Sequence, residues 1–297
     1  MQISTNQFYT FNRQNMLSLQ ADADKLQTQI STTKRINAPS DDAVAWRRLQ
    51  SITRDGADDT AFGGNMTLVS STLSQADVTL SSITDALQQA KELAVKANGG
   101  TLSPSDRNAI ADQLDAIVKN LVDYGNVKDS RGAAIFGGGD ADAVVANPGG
   151  GYTLATDAPT SVPIGATQTI VPGDSATRLY ANAGGGDILS TISALSAALR
   201  GTGSLTAIAG STGDALQASN DQVASVQASL GARGARVDLQ TSYLKEVATD
   251  REATRSSLED TDITTAITEL QKTMTILSAT QASFTKLAQL SLFDYLR

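Results

Sequence analysis

The sequence contains no cysteine and no histidine among its 297 residues. A Cys/His zinc site, a histidine general base and a thiol nucleophile are therefore all excluded. If a chain without cysteine works outside the cell, its fold must be stable without disulfides. We predict that the chain is not an enzyme and that it binds no cofactor or metal.

Other features are scarce as well. Aromatic residues make up 4% of the chain, and the formal net charge is -8. An acidic chain is a poor candidate for nucleic acid, because phosphate binding needs a basic face. No run of about 18 apolar residues is present, so no membrane insertion is expected. The N-terminus "MQISTNQFYTFNRQNML" lacks the basic and apolar regions of a secretory signal, which predicts that no signal peptide is cleaved.

Apolar residues at alternating spacings of three and four are the main positive signal, and this heptad pattern is typical of paired helices. Near the N-terminus the pattern comprises Met16, Leu19, Ala23, Leu26, Ile30 and Thr33. Near the C-terminus it comprises Ile263, Ile267, Leu270, Met274, Leu277, the polar Gln281 and Phe284. We expect a helix at each end of the chain and a pairing between the two.

The final residues "KLAQLSLFDYLR" are unusually apolar for a chain end. Such a tip is buried either in its own fold or by a partner. Two paired helices leave an apolar flank open, which calls for copies of the chain or a related subunit. The predicted assembly interface comprises Met16, Leu19, Leu26, Ile30, Ile263, Ile267, Leu270, Met274, Leu277, Phe284, Leu292, Phe293, Tyr295 and Leu296.

Longer helices are predicted inside the terminal pair. One runs from about residue 41 to 97, with Ser40 as its N-cap and a continuous apolar heptad between Met66 and Ala94. A second begins at Ser103 and Pro104 and ends near Gly125. "GDILSTISALSAAL" predicts a further helix, and a last long one starts near Asp214.

Two stretches rich in glycine or proline complete the interior. Gly231 and Gly234 lie within the last long helix, where each costs roughly 1 kcal/mol relative to alanine, so we expect them to allow close packing against another helix. Residues 140–186 hold four of the six prolines, and "GYTLAT" and "TQTIVP" within them predict short strands between turns.

The predicted fold is mainly α: an elongated bundle of long helices formed by the N- and C-terminal segments, with a coiled-coil-like terminal pair and a small β-rich insert. The predicted domains are an inner helix pair of residues 1–36 and 258–297, a long-helix core of residues 37–139 and 187–257, and a small outer domain of residues 140–186.

The acidic clusters have two interpretations. Asp41-Asp42 and the stretch from Glu259 to Asp262 could form an acid pair or a cation site. Both directly precede helical patterns, and this favours helix capping.

The basic pairs Lys34-Arg35 and Arg47-Arg48 could bind an anion, but a solvated face or an intersubunit salt bridge is favoured, and the same holds for Arg233 and Arg236. Trp46, the single tryptophan, anchors a helix crossing in the favoured interpretation and an intersubunit contact in the other.

"TKRINAPSDDAVAW" and "SLEDTDITTAITEL" resemble the early and late motifs of the flagellin superfamily. Within it, "ELAVKANGGTLSPSDR", "DSRGAAIFGG", "VPIG", "VPGD", "GGGDILSTISAL" and the ending "LSLFDYL" resemble the hook–filament junction family. The likeness covers most of the chain and is weakest over about residues 140–180. The order and spacing of the motifs, rather than any one of them, support it.

The resemblance implies a structural adaptor of the bacterial flagellum, located outside the cell and exported without a cleaved signal. The implied partners are the first hook-associated protein, flagellin, copies of the chain in a ring, a cytoplasmic export chaperone and the flagellar type III export apparatus. A flagellin or flagellin-like filament subunit is the alternative. A secreted coiled-coil effector and a peptidase in a flagellin-like frame are less favoured, the latter because a zinc protease site needs histidine.

Overall fold

The computed structural model describes residues 2–99, 102–139, 141–182, 186–201, 203 and 205–295. Its described helices are α1 (Gln2–Thr32), α2 (Ala43–Asn98), α3 (Pro104–Gly125), α4 (Ala176–Tyr180), α5 (Ile188–Arg200), α6 (Thr206–Glu259) and α7 (Ile263–Tyr295). Four short strands lie between α3 and α4. The prediction of a mainly α protein with long terminal helices and a small β-rich middle is confirmed.

The chain divides into two compact units. The first comprises residues 1–58 and 246–297, and the second comprises residues 59–245. The first unit is therefore made from both ends of the sequence, whereas the second is continuous. The division into three domains predicted from the sequence stays a prediction.

The second unit is built around one apolar core. The heptad predicted on α2 faces that core: Val69, Leu80 and Leu87 are fully buried. Helices α3 and α5 pack against each other, and Leu114 and Ile192 are fully buried there. Burial of a Leu, Ile or Val side chain stabilises a fold by about 1.5–3 kcal/mol, so this core holds the unit together.

Side chains cap the starts of two helices, and of these caps the sequence predicted Ser103. The Ser103 hydroxyl accepts a hydrogen bond from the Asp106 N–H at 3.2 Å, and Pro104 is the first residue of α3. The Asp187 carboxylate accepts from the Ser190 N–H at 2.6 Å at the start of α5. These side chains satisfy N–H groups that a helix start leaves without a partner.

The strands form two small antiparallel sheets. Strands β1 (Val144–Ala146) and β2 (Tyr152–Leu154) pair with Val144 opposite Leu154. Strands β3 (Val162–Pro163) and β4 (Thr169–Ile170) pair with Val162 opposite Ile170. Strands β2 and β4 lie in the two segments that the sequence predicted, and the five-residue helix α4 was not predicted.

Three local predictions are wrong. Helix α6 begins at Thr206 rather than near Asp214. The N-cap of α2 is Asp42 rather than Ser40, because the Asp42 carboxylate accepts hydrogen bonds from the N–H groups of Val44 and Ala45. Gly231 and Gly234 do not support close packing within the described part of the chain, since a Cβ at either position would have no described atom within 4 Å.

Candidate assembly interface

The first unit holds the two terminal helices, α1 and α7, which pack against each other. The Tyr9 ring meets the Phe284 ring edge-on, with a centroid distance of 5.4 Å. At the other end of the pair, the Thr261 N–H donates to the Thr33 carbonyl oxygen at 3.0 Å. The start of α1 thus lies beside the end of α7, so the two helices are antiparallel.

The contact surface of α1 follows the predicted heptad. Met16, Leu19, Leu26 and Ile30 are all half-buried, and Ala23 is buried. The half-buried Tyr9 and Asn12 extend the same spacing toward the N-terminus. Sequence reasoning missed these two, although the spacing of three and four continues through them.

The contact surface of α7 is shifted by one residue from part of the predicted pattern. Its less exposed positions follow a heptad of Ala266, Leu270, Thr273, Leu277, Thr280 and Phe284. Leu270, Leu277 and Phe284 belong to both this heptad and the predicted one. The small or polar members Ala266, Thr273 and Thr280 were missed, because they give no apolar signal in the sequence.

The remaining predicted residues of this stretch form an exposed strip, which we name the α7 flank: Ile263, Ile267 and Met274. Their side chains are 42%, 41% and 51% exposed. On α1, Phe11 is 66% exposed, and Phe8 and Leu17 are also exposed. The pairing of α1 with α7 therefore leaves apolar surface open on both terminal helices.

The last four predicted interface residues lie at the end of the chain. Leu292, Phe293 and Tyr295 belong to helix α7, but the structure does not describe their side chains. Leu296 lies outside the described residues. Whether any of the fourteen residues contacts another subunit stays a prediction.

The ends of the two helices are joined by a short backbone pairing, which we name the clasp: residues 33–35 with residues 259–261. The Arg35 N–H donates to the Glu259 carbonyl oxygen at 2.6 Å, and Lys34 and Asp260 form an antiparallel bridge. The Lys34 ammonium also forms an ion pair with the Glu259 carboxylate. The two motifs that resemble the flagellin superfamily therefore meet here.

The backbone of the clasp is strained at one residue. Thr33 has a φ angle of +59°, a left-handed conformation that is unfavourable for a β-branched residue. The Thr261 hydroxyl is buried and has no hydrogen-bond partner among the described residues. Such features persist only where the surrounding contacts impose them.

Acidic side chains beside the clasp cap and brace the backbone. The Asp41 carboxylate accepts hydrogen bonds from the N–H groups of Asn37 and Ala38, each at 3.0 Å, and pairs with Lys25 at 3.1 Å. The Asn37 hydrogen bond is the largest cause that lowers the Asp41 pKa. The Asp262 carboxylate caps α7 through Thr265 and Thr264, and these hydrogen bonds lower the pKa of Asp262. Capping is confirmed for Asp42 and Asp262.

A small apolar cluster lies next to the clasp. Ile36, Ala45 and Leu49 are buried, and Trp46 and Leu258 pack against them. The interpretation of Trp46 as a core anchor is therefore confirmed. Arg233 is also an internal anchor: its guanidinium donates to the carbonyl oxygens of Val171 and Gly173 and lies 3.5 Å from the Asp174 carboxylate, so a solvated face is wrong for it.

Within the described residues, no three acidic side chains are grouped so that they could bind a metal ion. None of the described helices has the length and apolar character needed to cross a membrane.

Comparison with known families identifies the group to which the sequence belongs. Residues 3–138 match the bacterial flagellin N-terminal helical region, and residues 214–296 match the bacterial flagellin C-terminal helical region. The chain belongs to the flagellin superfamily. The two matched regions include α1 from residue 3 onward, α7 and both segments of the clasp.

Individual relatives refine this result. Flagellar hook-associated protein 3 of Salmonella typhimurium is 28% identical over 315 aligned positions, which cover 99% of each chain. The same protein of Escherichia coli is 32% identical over 138 positions, 46% of this chain and 44% of the relative. Flagellin of Listeria monocytogenes is 31% identical over 111 positions, which cover 34% of this chain and 38% of the relative.

Solved structures share the fold. Flagellar hook-associated protein 3 from Legionella pneumophila superposes with a TM-score of 0.62 at 16% identity, covering 70% of this chain and 98% of that one. FlgL from Xanthomonas campestris superposes with a TM-score of 0.61 at 18% identity, covering 69% and 99%. At these identities the likeness establishes the fold alone.

Proposed function

We propose that the chain is a structural adaptor of the bacterial flagellum, not an enzyme, and that it joins the hook to the flagellin filament. The main supporting observation is the α7 flank, an exposed apolar strip beside the contact between the terminal helices. A strip of this kind is characteristic of a surface that another protein covers. Similarity to flagellar hook-associated protein 3 along 99% of both chains favours the junction over the filament.

The proposal extends to specific partners. Copies of the chain form a ring that binds the first hook-associated protein on one side and flagellin on the other. A cytoplasmic export chaperone accompanies the chain, and the flagellar type III export apparatus delivers it to the outside without cleavage of a signal. Neither nucleic acid nor membrane insertion takes part.

Burial of the α7 flank supplies part of the assembly energy. Covering an Ile or Met side chain fully contributes about 1.5–3 kcal/mol, and the side chains of Ile263, Ile267 and Met274 are already partly covered, so each contributes less than the full value. Repetition around a ring adds these small terms at every subunit.

Deletion of the gene tests the proposal. Cells without the adaptor should secrete flagellin monomers into the medium and carry hooks without filaments, and the wild-type gene should restore filaments. Loss of a flagellin-like subunit, the alternative, would instead shorten or thin the filaments without releasing monomers. Cells that keep normal filaments after deletion would contradict both functions.

A further inference from the structure

Methionine is the most readily oxidised type of side chain in this sequence. The chain contains no cysteine, whose thiolate would react first with a peroxide, and it has four methionines and one tryptophan. The single tryptophan, Trp46, is half-buried and packs against the apolar cluster beside the clasp. A peroxide that reaches this protein therefore acts mainly on its methionines.

The three methionines that the structure describes differ in exposure. Met66 is 2% exposed in the core of the second unit, and the Thr241 hydroxyl donates to its sulfur at 3.5 Å. Met16 is half-buried in the contact surface of α1. Met274 is 51% exposed on the α7 flank. An oxidant in solution therefore meets the Met274 side chain first.

Met274 lies on the same side of α7 as two leucines of the contact surface. Leu270 and Leu277, both half-buried, lie four residues before it and three residues after it. Gln271 and Ser278 are its polar neighbours on this side, and the Ser278 hydroxyl already donates to the Met274 carbonyl oxygen at 2.9 Å. Met274 is therefore the main exposed apolar side chain on this side of the two turns.

Hydrogen peroxide oxidises a thioether without a further reactant. The sulfur attacks one peroxide oxygen, the O–O bond breaks, and a sulfur–oxygen bond forms. The second oxygen takes the proton of the transferred oxygen and leaves as water. The sulfur is thereby oxidised from sulfide to sulfoxide and the peroxide is reduced to water, so an apolar side chain becomes polar.

We propose that Met274 is an oxidation site that controls assembly: a peroxide converts it to the sulfoxide in the free chain, and the oxidised chain no longer joins other subunits. This rests on the proposed function, in which a partner covers the α7 flank. Burial of the sulfoxide oxygen without a hydrogen bond opposes that contact. Assembly in turn covers the thioether, so a chain that has already assembled is protected.

Peptide mass spectrometry of the purified full-length chain in hydrogen peroxide tests the site. Met274 should be oxidised several-fold faster than Met66, and Met16 should react at an intermediate rate. In denaturant the three residues should react at similar rates, because burial no longer separates them. The chain oxidised at Met274 should keep its melting profile. Equal rates for Met274 and Met66 in the folded chain would overturn the assignment of the site.

Binding of the chain to hooks isolated from cells without the gene tests the consequence. Oxidation should weaken the binding of the wild-type chain by about tenfold, which corresponds to about 1.4 kcal/mol. Methionine sulfoxide reductases should restore it. M274L removes the sulfur at nearly equal volume, so this variant should bind equally well before and after peroxide treatment. M66L, which keeps Met274, is the matched control and should lose binding as the wild-type chain does.

The outcomes separate the two proposals. An untreated chain that does not bind hooks would refute the adaptor function and with it the control of assembly, whereas the oxidation rates still test the site. A wild-type chain that binds equally well with Met274 oxidised would refute the control of assembly and leave the adaptor function standing. Loss of binding in peroxide-treated M274L would also refute it, because another oxidised residue would then be responsible.

Discussion

The Thr33 carbonyl oxygen accepts the Thr261 N–H at 3.0 Å, and through this bond the end of α1 is tied to the start of α7. Thr33 makes the bond from a left-handed backbone conformation with a φ of +59°. The two sequence motifs that resemble those of the flagellin superfamily therefore meet in the structure, where they form the two sides of the clasp.

Replacing Thr33 with Asn should stabilise the first unit. Asn tolerates the left-handed conformation far better than a β-branched residue, whose cost there is about 1–2 kcal/mol. We expect the T33N variant to unfold at a higher denaturant concentration, with a gain of about 1 kcal/mol in the free energy of unfolding. The T33V variant keeps the β-branch and should show no gain. A T33N variant that is less stable than the natural chain would contradict the strain at this residue.

The terminal helices should be the most protease-sensitive part of an isolated chain. Their contact buries Ala23 and Ala266 but leaves the larger residues of the contact surface half-buried. An isolated helix pair of this kind is marginally stable. Limited proteolysis of dilute protein should remove most of α1 and α7 first, and assembly should protect both. F284A, which removes the ring against Tyr9, should accelerate the cleavage. Resistant terminal helices in dilute protein would count against this prediction.

Substitutions on α7 should separate helix pairing from assembly. Leu277 is half-buried in the contact with α1, whereas Met274 is 51% exposed on the α7 flank. M274D should keep the wild-type melting profile but prevent filament formation, because a carboxylate on the flank opposes burial by a partner. L277D should give a soluble, largely helical chain that also fails to assemble, with a weakened helix pair.

The exposed insert residue Thr167 provides the matched control. T167D should leave both filaments and circular dichroism unchanged. Normal filaments in cells that express L277D would exclude a role of α7 in assembly. An insoluble L277D chain would show that this helix belongs to the protein's own core.

Asp41 should make the first unit sensitive to acid. Its pKa is lowered below the ordinary value of 3.8, first by the Asn37 N–H and further by Ala38 and Lys25. A carboxylate with a lowered pKa stabilises the fold above the unfolded-state pKa, and this contribution is lost as the pH falls through the folded-state value. D41N should therefore flatten the decline in stability below about pH 4, measured by denaturant unfolding at several pH values. D22N, at an exposed carboxylate without an ion pair in the described residues, should leave the decline unchanged.

The buried Tyr180 hydroxyl should stabilise the fold of the second unit. The Tyr180 ring is fully buried, and its hydroxyl donates to the Leu121 carbonyl oxygen at 2.7 Å. Burial raises the pKa of this hydroxyl, so it stays protonated and keeps donating. Y180F should lower the free energy of unfolding by about 1 kcal/mol, because the Leu121 carbonyl oxygen loses the hydrogen bond from the Tyr180 hydroxyl. Unchanged stability would show that another donor replaces the hydroxyl.

Much of the fold could be predicted from the sequence, because long heptads produce strong periodic signals. The buried face of α2 and the contact face of α1 both follow their predicted spacing. The start of α6 could not be predicted in the same way. Gly210 and Gly213 lie in its first turns, where glycine disfavours a helix, yet the buried Ala209 and Thr212 hold this stretch in the helix. Tertiary packing here outweighs local propensity.

The candidate interface was predicted less completely. On α7, two heptads share Leu270 and Leu277, and the sequence pattern favours the more apolar one. The helix instead turns Ala266 and Thr273 toward its contact surface, which leaves Ile267 and Met274 exposed. Small and polar residues allow two helices to approach closely but give no apolar signal in the sequence. The contact surface of α7 could therefore be distinguished from the α7 flank only in the structure.

The composition of the first unit, residues 1–58 with residues 246–297, also constrains the order of folding. On the ribosome, α1 and the start of α2 emerge long before the segment that completes their unit. Residues 59–245 are continuous, so their unit can fold as soon as they are available. The first unit cannot be completed until residues 246–297 follow, because Leu258 packs against the apolar cluster that contains Ile36 and Leu49. The part of the molecule proposed to join other subunits is thus the last to become native.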